Sequence, residues 1–269
     1  MIREALEPLK TVQERILLRI LGEITYPDYL MGGIKDPERK RGYIRNAGRH
    51  SGATVLVSED IADFFPSVSA NKVQTVFQHL LHFPPSVSAA LAGLCTRRGE
   101  LAQGASTSTA LANLVLFQRE PKVVEHLARL GFRYSRFVDD VNVSSAAPTR
   151  ADDTVVVVRA VRGLLERSGF TPKRSKQRIF RPGQRMQIHN LNVNDRASIP
   201  AGERKRIRAM VFQLERQLRE GTLSRDVKRD IDRATSHVSR VRALHPHEGQ
   251  QLLARIRTVR AGLRTSQTA

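Results

Sequence analysis

The chain has 269 residues, enough to bury a sizeable core as one large domain or two smaller ones. Its 45 Lys and Arg against 26 Asp and Glu give a net charge of +19, which points to a polyanionic partner such as nucleic acid, or to an anionic membrane surface. No run of about 18 apolar residues is present, which excludes a membrane-spanning helix. The amino-terminal residues lack an apolar signal core, and one cysteine, Cys95, permits no internal disulfide, so a cytoplasmic setting is expected.

In chain order, Leu9, Val12, Ile16, Leu17, Ile20 and Leu21 recur at helical spacing and predict a helix over 9–23. Pro27, Gly32-Gly33 and Pro37 break it into a loop crossed by the basic cluster Arg39-Lys40-Arg41. Thr54 to Val57 reads as a buried strand that delivers Asp60 at its end. Helices are predicted over 71–82 and 86–94, and a longer one over 108–130, entered through the small-residue loop Leu101 to Ser108. Tyr134 to Val143 reads as two short strands about a tight turn. A helix over 154–168 follows. Then come strands over 177–180 and 186–193, with a Pro182-Gly183 turn between them. From Pro200 onward the pattern is helical, and this region is denser in positive charge than the rest. The last residues, Thr265 to Ala269, are expected to fray. Strands interleaved with helices in this order predict an α+β fold, an antiparallel sheet with helices on one face and a separate basic helical module at the carboxyl end.

The chemistry concentrates in the doublet Asp139-Asp140. Neighbouring carboxylates with apolar flanks repel, and burying them costs several kcal/mol unless a cation neutralises them. Two acids at a hairpin tip suit a hard divalent cation, which takes oxygen ligands. Asp60, at the end of a predicted strand, is placed to add a third. Two Mg²⁺ ions about 4 Å apart need several such oxygens and support nucleotidyl transfer. Asp63 is read as a turn or helix-cap residue, and Phe64 as core.

Three segments, Asp60-Ile-Ala-Asp-Phe-Phe-Pro-Ser, Leu-Ala-Gln103-Gly104-Ala-Ser-Thr-Ser-Thr-Ala-Leu-Ala-Asn113-Leu and Phe137-Val-Asp139-Asp140, together resemble a reverse transcriptase over about 9–194. Asn46-Ala47-Gly48-Arg49-His50 is similar to the Asn-Ala-x-x-His signature of the bacterial retron-like type, in which Asn46 is expected to cap a helix and His50 to make a structural hydrogen bond. The resemblance implies a right-hand polymerase palm with partial fingers and a helical thumb. Fingers and palm span 1–199, with fingers at about 1–50 and 70–98 and palm at about 51–69 and 99–199; the basic thumb spans 200–269. It further implies an RNA-directed DNA polymerase that uses two Mg²⁺ or Mn²⁺ ions held by Asp60, the Ile61 carbonyl, Asp139 and Asp140. Phe65 corresponds to the ring that collides with a 2′-hydroxyl and so selects dNTPs. Gln103 and Gly104 correspond to the loop against the nascent base pair, and Lys176 to a proton donor near the triphosphate.

Nucleic-acid contacts are expected at Arg39, Lys40, Arg41, Ser106, Ile188, His189, Asn190, Arg204, Lys205 and Arg208. Where the retron family usually carries Val-Thr-Gly, this chain has Ile188-His189-Asn190. Family members usually carry further fingers residues at the amino end. Arg3 is read as a remnant of them, and triphosphate contacts are expected either upstream of this start or elsewhere in the chain. The implied partners are an RNA template, a DNA or RNA primer, dNTPs and a cognate noncoding RNA, with no membrane, and the implied setting is phage defence. Two alternatives keep parts of this reading: a template-independent terminal nucleotidyltransferase of the same fold, and an RNA-binding maturase or scaffold without polymerase activity.

Overall fold

The computed structural model describes residues 5–36, 38–222, 224 and 226–266. Arg3, Pro37 and the last three residues lie outside the described residues. The elements are α1 (Leu9–Arg19) with a 3₁₀ turn (Leu21–Glu23), α2 (Tyr43–Arg49), β1 (Val55–Asp60), α3 (Phe64–Ser67) and α4 (Ala70–Thr75), which runs into a π-helical stretch (Val76–Leu80). Next come α5 (Pro85–Cys95), α6 (Ser108–Leu114), α7 (Glu120–Arg129), β2 (Arg133–Phe137), β3 (Asp140–Ser145) and α8 (Ala151–Arg167). The rest is β4 (Arg178–Phe180), β5 (Gln187–Ile188), β6 (Leu191–Asn192), α9 (Ala201–Glu220), α10 (Val227–Leu244) and α11 (Pro246–Ser266).

Two elements differ from the sequence expectation. The single helix expected over 108–130 is two, because Pro121 lies in the first turn of α7. A proline is accommodated there, but inside a continuous helix its ring would strike the carbonyl four residues back. The strands expected about Pro182-Gly183 do not pair with each other. β4 joins β1, while 186–193 folds back on itself as the β5–β6 hairpin, turning at His189 and Asn190 with φ of 50° and 61°. Two left-handed residues in succession make the two-residue turn that matches strand twist.

Among the described residues, β1 to β4 form one antiparallel sheet in the order β2-β3-β1-β4. Alternation divides it into two faces. Val55, Val57, Val141, Val143 and Tyr134 point to a core that also takes Leu111 of α6, Leu127 of α7, and Val157, Val161 and Leu165 of α8. The opposite face carries the register pairs Asp60–Asp140, Ser58–Asn142 and Leu56–Ser144. At the end remote from the acids this face is also covered. Leu56 joins Ala47 of α2, Met186, Ile188 and Leu191 of the small hairpin, and the apolar stripes of α9, α10 and α11 in a second core. The three carboxyl-terminal helices are tied by ion pairs such as Arg255–Glu215 and Arg240–Glu203. No helix among the described residues is long and apolar enough to cross a membrane.

The first core contains a buried charge pair. Arg136, fully buried on β2, donates from Nε to Oε1 and from Nη2 to Oε2 of the equally buried Glu120, at 2.6 and 2.9 Å. Glu120 Oε1 also accepts from the Tyr134 hydroxyl at 2.8 Å. Arg136 Nη2 reaches the carbonyl of Asn113 and Nη1 that of Val138, at 2.8 and 2.9 Å. One guanidinium therefore joins the end of α6, the start of α7, the edge strand and the turn after it. Breaking a buried pair leaves an uncompensated charge, and the cost is about 3–5 kcal/mol. Glu120→Gln is expected to lower unfolding free energy by about that amount in urea titrations; a loss under about 1 kcal/mol would mean the pair does not organise this core.

Candidate active site

The three acids meet at the end of the β1–β3 ladder. Asp60 and Asp140 are direct partners across it, and the Ile61 amide donates to the Asp139 carbonyl at 3.1 Å. The turn between β2 and β3 is strained. Val138 has φ 60°, a left-handed conformation that a β-branched residue adopts only where its surroundings impose it. Arg136 holds the Val138 carbonyl from the core side. From the other side Gly32 lies so close that a Cβ would come within 2.8 Å of Val138 Cγ2 and 2.9 Å of the Phe137 ring. The neighbouring backbone is fixed by Met31 N–H to Arg136 O at 2.8 Å, and the Asn113 amide donates to Gly32 O at 2.8 Å. Asn113, in the loop-and-helix segment that resembles the family, thus acts on the turn that bears the acids.

The segment after α8 runs beside Asp60. Ala62 donates to Thr171 O at 2.9 Å and Lys173 to Asp60 O at 2.7 Å. This brings Lys176 Nζ to 2.8 Å from Asp60 Oδ2. The contact raises the Lys176 pKa, chiefly through the hydrogen bond to Asp60, so the ammonium is retained. Burial raises the Asp139 carboxyl, with the Asp60 charge adding to it and Lys176 and Lys173 opposing. Asp140 is pushed up to about 6 by burial and then by the charges of Asp139 and Asp60.

Such an acid set is short of positive charge, which is what a divalent cation supplies. Among the described residues no three His, Cys, Asp or Glu side chains are gathered into a ready metal cage. Here the Lys176 ammonium engages Asp60. Asp60 faces both the Lys176 ammonium and the Asp140 carboxyl, so an ion at this place competes with Lys176 for Asp60. The Ile61 side chain is buried, while no described group donates to its carbonyl.

The flanking residues fall into place unevenly. Phe64 is buried, ring to ring with Phe170 at 5.3 Å, while Phe65 beside it is half-buried. Asp63 occupies the cap position of α3 in the left-handed conformation. Gln103 and Gly104 lie on an exposed turn, and Gly104 has φ 103°, open to glycine and rarely to other residues. Ser106 is half-buried next to it.

His189 sits against the β2–β3 hairpin, its ring 4.5 Å from that of Phe137, and its Nε2 pairs with the Asn46 amide at 2.9 Å. Asn46 is therefore no helix cap: it lies within α2, fully buried, and links that helix to the β5–β6 turn. The sequence offered no cue to this link, since its ends are 143 residues apart. His50 makes the expected structural contacts, to Ser144 Oγ and Ser135 Oγ at 2.7 Å each, and burial lowers its pKa to about 3, so it stays neutral.

Among the nucleic-acid contacts expected from sequence, Arg41 is corrected. Its side chain is 2% exposed and donates to Asp36 and to the carbonyls of Tyr26, Pro27 and Leu30, which makes it a buried clamp on the 26–36 loop. Ile188 is corrected likewise, its side chain being part of the second core. Arg39 pairs with Asp28, and Arg204 and Arg208 both pair with Glu248 of α11, so part of their charge ties structure together. Lys40, Lys205 and Asn190 are exposed.

A strand-end acid facing an acid pair on the neighbouring hairpin, with helices behind the sheet and a helical module following, is the arrangement of a right-hand polymerase palm. No protein-family model matches the chain. The retron Se72 reverse transcriptase of Salmonella heidelberg is 33% identical over 180 residues, covering 66% of this chain and 46% of that protein. The retron Ec48 reverse transcriptase of Escherichia coli is 31% identical over 216 residues, covering 77% and 52%. The retron Mx65 reverse transcriptase of Myxococcus xanthus is 29% identical over 269 residues, covering 92% and 58%. Among solved structures, apo telomerase from Candida Tropicalis aligns with a TM-score of 0.49 at 10% identity, over 94% of this chain and 53% of that one. The chain is a relative of the retron reverse transcriptases, and it spans about half the length of the curated relatives it matches.

The close approach of Gly32 to the turn gives a test. Gly32→Ala must displace Val138 or the Phe137 ring, and overpacking of this kind destabilises by roughly 1–3 kcal/mol. Thermal unfolding should register that loss; an unchanged midpoint would show that the turn is free to move away.

Proposed function

We propose that this chain is the polymerising part of an RNA-directed DNA polymerase of retron-like type, adding dNTPs to a primer 3′-hydroxyl along an RNA template. The observation that carries this reading is the Asp60–Asp140 pairing across the sheet, with Asp139 one hydrogen bond away. Asp60, Asp139, Asp140 and the Ile61 carbonyl would hold two Mg²⁺ or Mn²⁺ ions, which when bound activate the 3′-hydroxyl and stabilise the leaving pyrophosphate. The chain's own residues do the remaining work. The strained turn fixes the direction of Asp139 and Asp140. Lys176, kept protonated beside Asp60, is in reserve as a proton donor to pyrophosphate. Phe65, half-buried against the core, is a stiff wall against a ribose 2′-hydroxyl, the one group that separates the two sugars there. Gln103 and Gly104 present an exposed turn to the base pair. His189, steadied by Asn46 and Phe137, belongs to the surface that receives the primer. A cytoplasmic location, a cognate noncoding RNA and a role in phage defence are parts of the same proposal.

Asp139→Asn keeps the side-chain shape and removes a charge. Losing several kcal/mol of transition-state stabilisation corresponds to a rate loss of about 10³ or more. Primer extension on an RNA template, with circular dichroism to monitor folding, should give that loss in a folded protein. Unimpaired extension would end the assignment. Sequencing the wild-type product separates copied template from untemplated tracts; untemplated tracts would favour a terminal transferase. Phe65→Ala should admit ribonucleotides, read as a fall in the preference for dNTPs over NTPs in single-nucleotide addition. An unchanged preference would remove Phe65 from the gate.

A further inference from the structure

Between α5 and the Gln103 loop the chain makes a tight turn, Arg97-Arg98-Gly99-Glu100. The Arg97 amide donates to Glu100 O at 2.8 Å and the Glu100 amide to Arg97 O at 3.2 Å. Arg98 and Gly99 both have positive φ, 53° and 82°. The second position holds the expected glycine; the first holds an arginine where asparagine or aspartate is usual, so the backbone accepts strain to place a guanidinium at the tip. The turn is fixed to the segment that follows Phe65, through Ala70 N–H to Gly99 O at 2.7 Å and Leu101 N–H to Val68 O at 3.1 Å.

Arg97, Arg98 and Gln103 line a cleft of about 280 Å³ whose other wall is Pro66, the residue after Phe65. Both arginines are exposed, and neither side chain bonds to any described residue. Glu100 also lines the cleft and pairs with neither. Some arginines are spent on Glu120, Glu215, Glu203 and Glu248, and others, such as Arg15, Arg178 and Arg206, are exposed without a side-chain partner among the described residues. Arg97 and Arg98 differ in being adjacent on one fixed turn and lining one cleft. Two free guanidiniums on a rigid turn form a fork suited to phosphate oxygens.

The geometry points to Arg97 and Arg98 as a phosphate-binding site at the mouth of the cleft between Pro66 and Gln103. The site rests on the polymerase reading for its ligand, which is a phosphate either of the template strand or of the incoming nucleotide.

The test uses the full chain with Arg97→Gln and Arg98→Gln, singly and together, and Lys replacements as charge-preserving controls. Affinity for a labelled RNA–DNA hybrid with a single-stranded RNA overhang is measured by fluorescence anisotropy across a KCl series in EDTA, where no catalysis is needed. The KM and kcat for single-nucleotide addition are measured separately. If the template strand supplies the phosphate, the double variant binds the overhang hybrid about tenfold more weakly, and the salt dependence falls by about one unit per arginine. The Lys controls then keep the salt slope. If the triphosphate supplies it, hybrid affinity holds and the dNTP KM rises about tenfold with kcat little changed. If neither quantity moves in a folded double variant, the site does not exist. Wild-type chain that binds the hybrid through these arginines but incorporates nothing would overturn the polymerase reading and leave the site standing. Wild-type chain that neither binds nor incorporates overturns both.

Discussion

Arg136 is the constraint on which the acid-bearing end of the sheet depends. Excluded from water, its guanidinium is neutralised by Glu120 and spends its remaining donors on the carbonyls of Asn113 and Val138. A buried pair of this kind is a poor source of net stability, because desolvating two ions offsets most of their attraction. What it supplies is direction. A valine in the left-handed region is unfavourable by about 1–3 kcal/mol and relaxes unless held. Here Arg136 holds it from below and Gly32 leaves no room above. Asp139 and Asp140 follow immediately, so the strain at Val138 fixes where two carboxylates point.

The same residues gather negative charge that the protein leaves incompletely balanced. Burial and mutual repulsion push Asp139 and Asp140 upward, and Lys176 answers only Asp60 directly. A purely structural cluster would gain from a second partner, as Glu120 gains from Tyr134. The imbalance lies at a sheet end against which His189 packs through the Phe137 ring, and it is the charge deficit that the proposed cations would fill.

Much of this was legible in the sequence because its signals are local. The run Val55 to Asp60 declares a buried strand with an acid at its end, and the apolar flanks of Asp139-Asp140 declare a hairpin. Both appear, in the register that brings Asp60 to Asp140. What stayed hidden depends on distant partners. Arg41 and Arg136 look like any surface arginine in a chain of net charge +19. Only the fold shows one buried in a loop and the other in the core. Asn46 has a partner 143 residues away, and Ile188 turns inward because a two-residue turn at His189-Asn190 sets the hairpin's faces. The split of the 108–130 helix was within reach, since Pro121 is a local signal whose helix-breaking effect a long apolar pattern obscured.

The central claim is that Asp60, Asp139 and Asp140 form one cation site with the turn already in place. Anomalous diffraction from crystals grown with Mn²⁺, template–primer and a non-hydrolysable dNTP tests it most directly. The account predicts two peaks about 4 Å apart within ligand distance of these carboxylates and of the Ile61 carbonyl, with Lys176 released from Asp60. Mn²⁺ bound elsewhere, or Lys176 still paired with Asp60 and no ion between the acids, would contradict it.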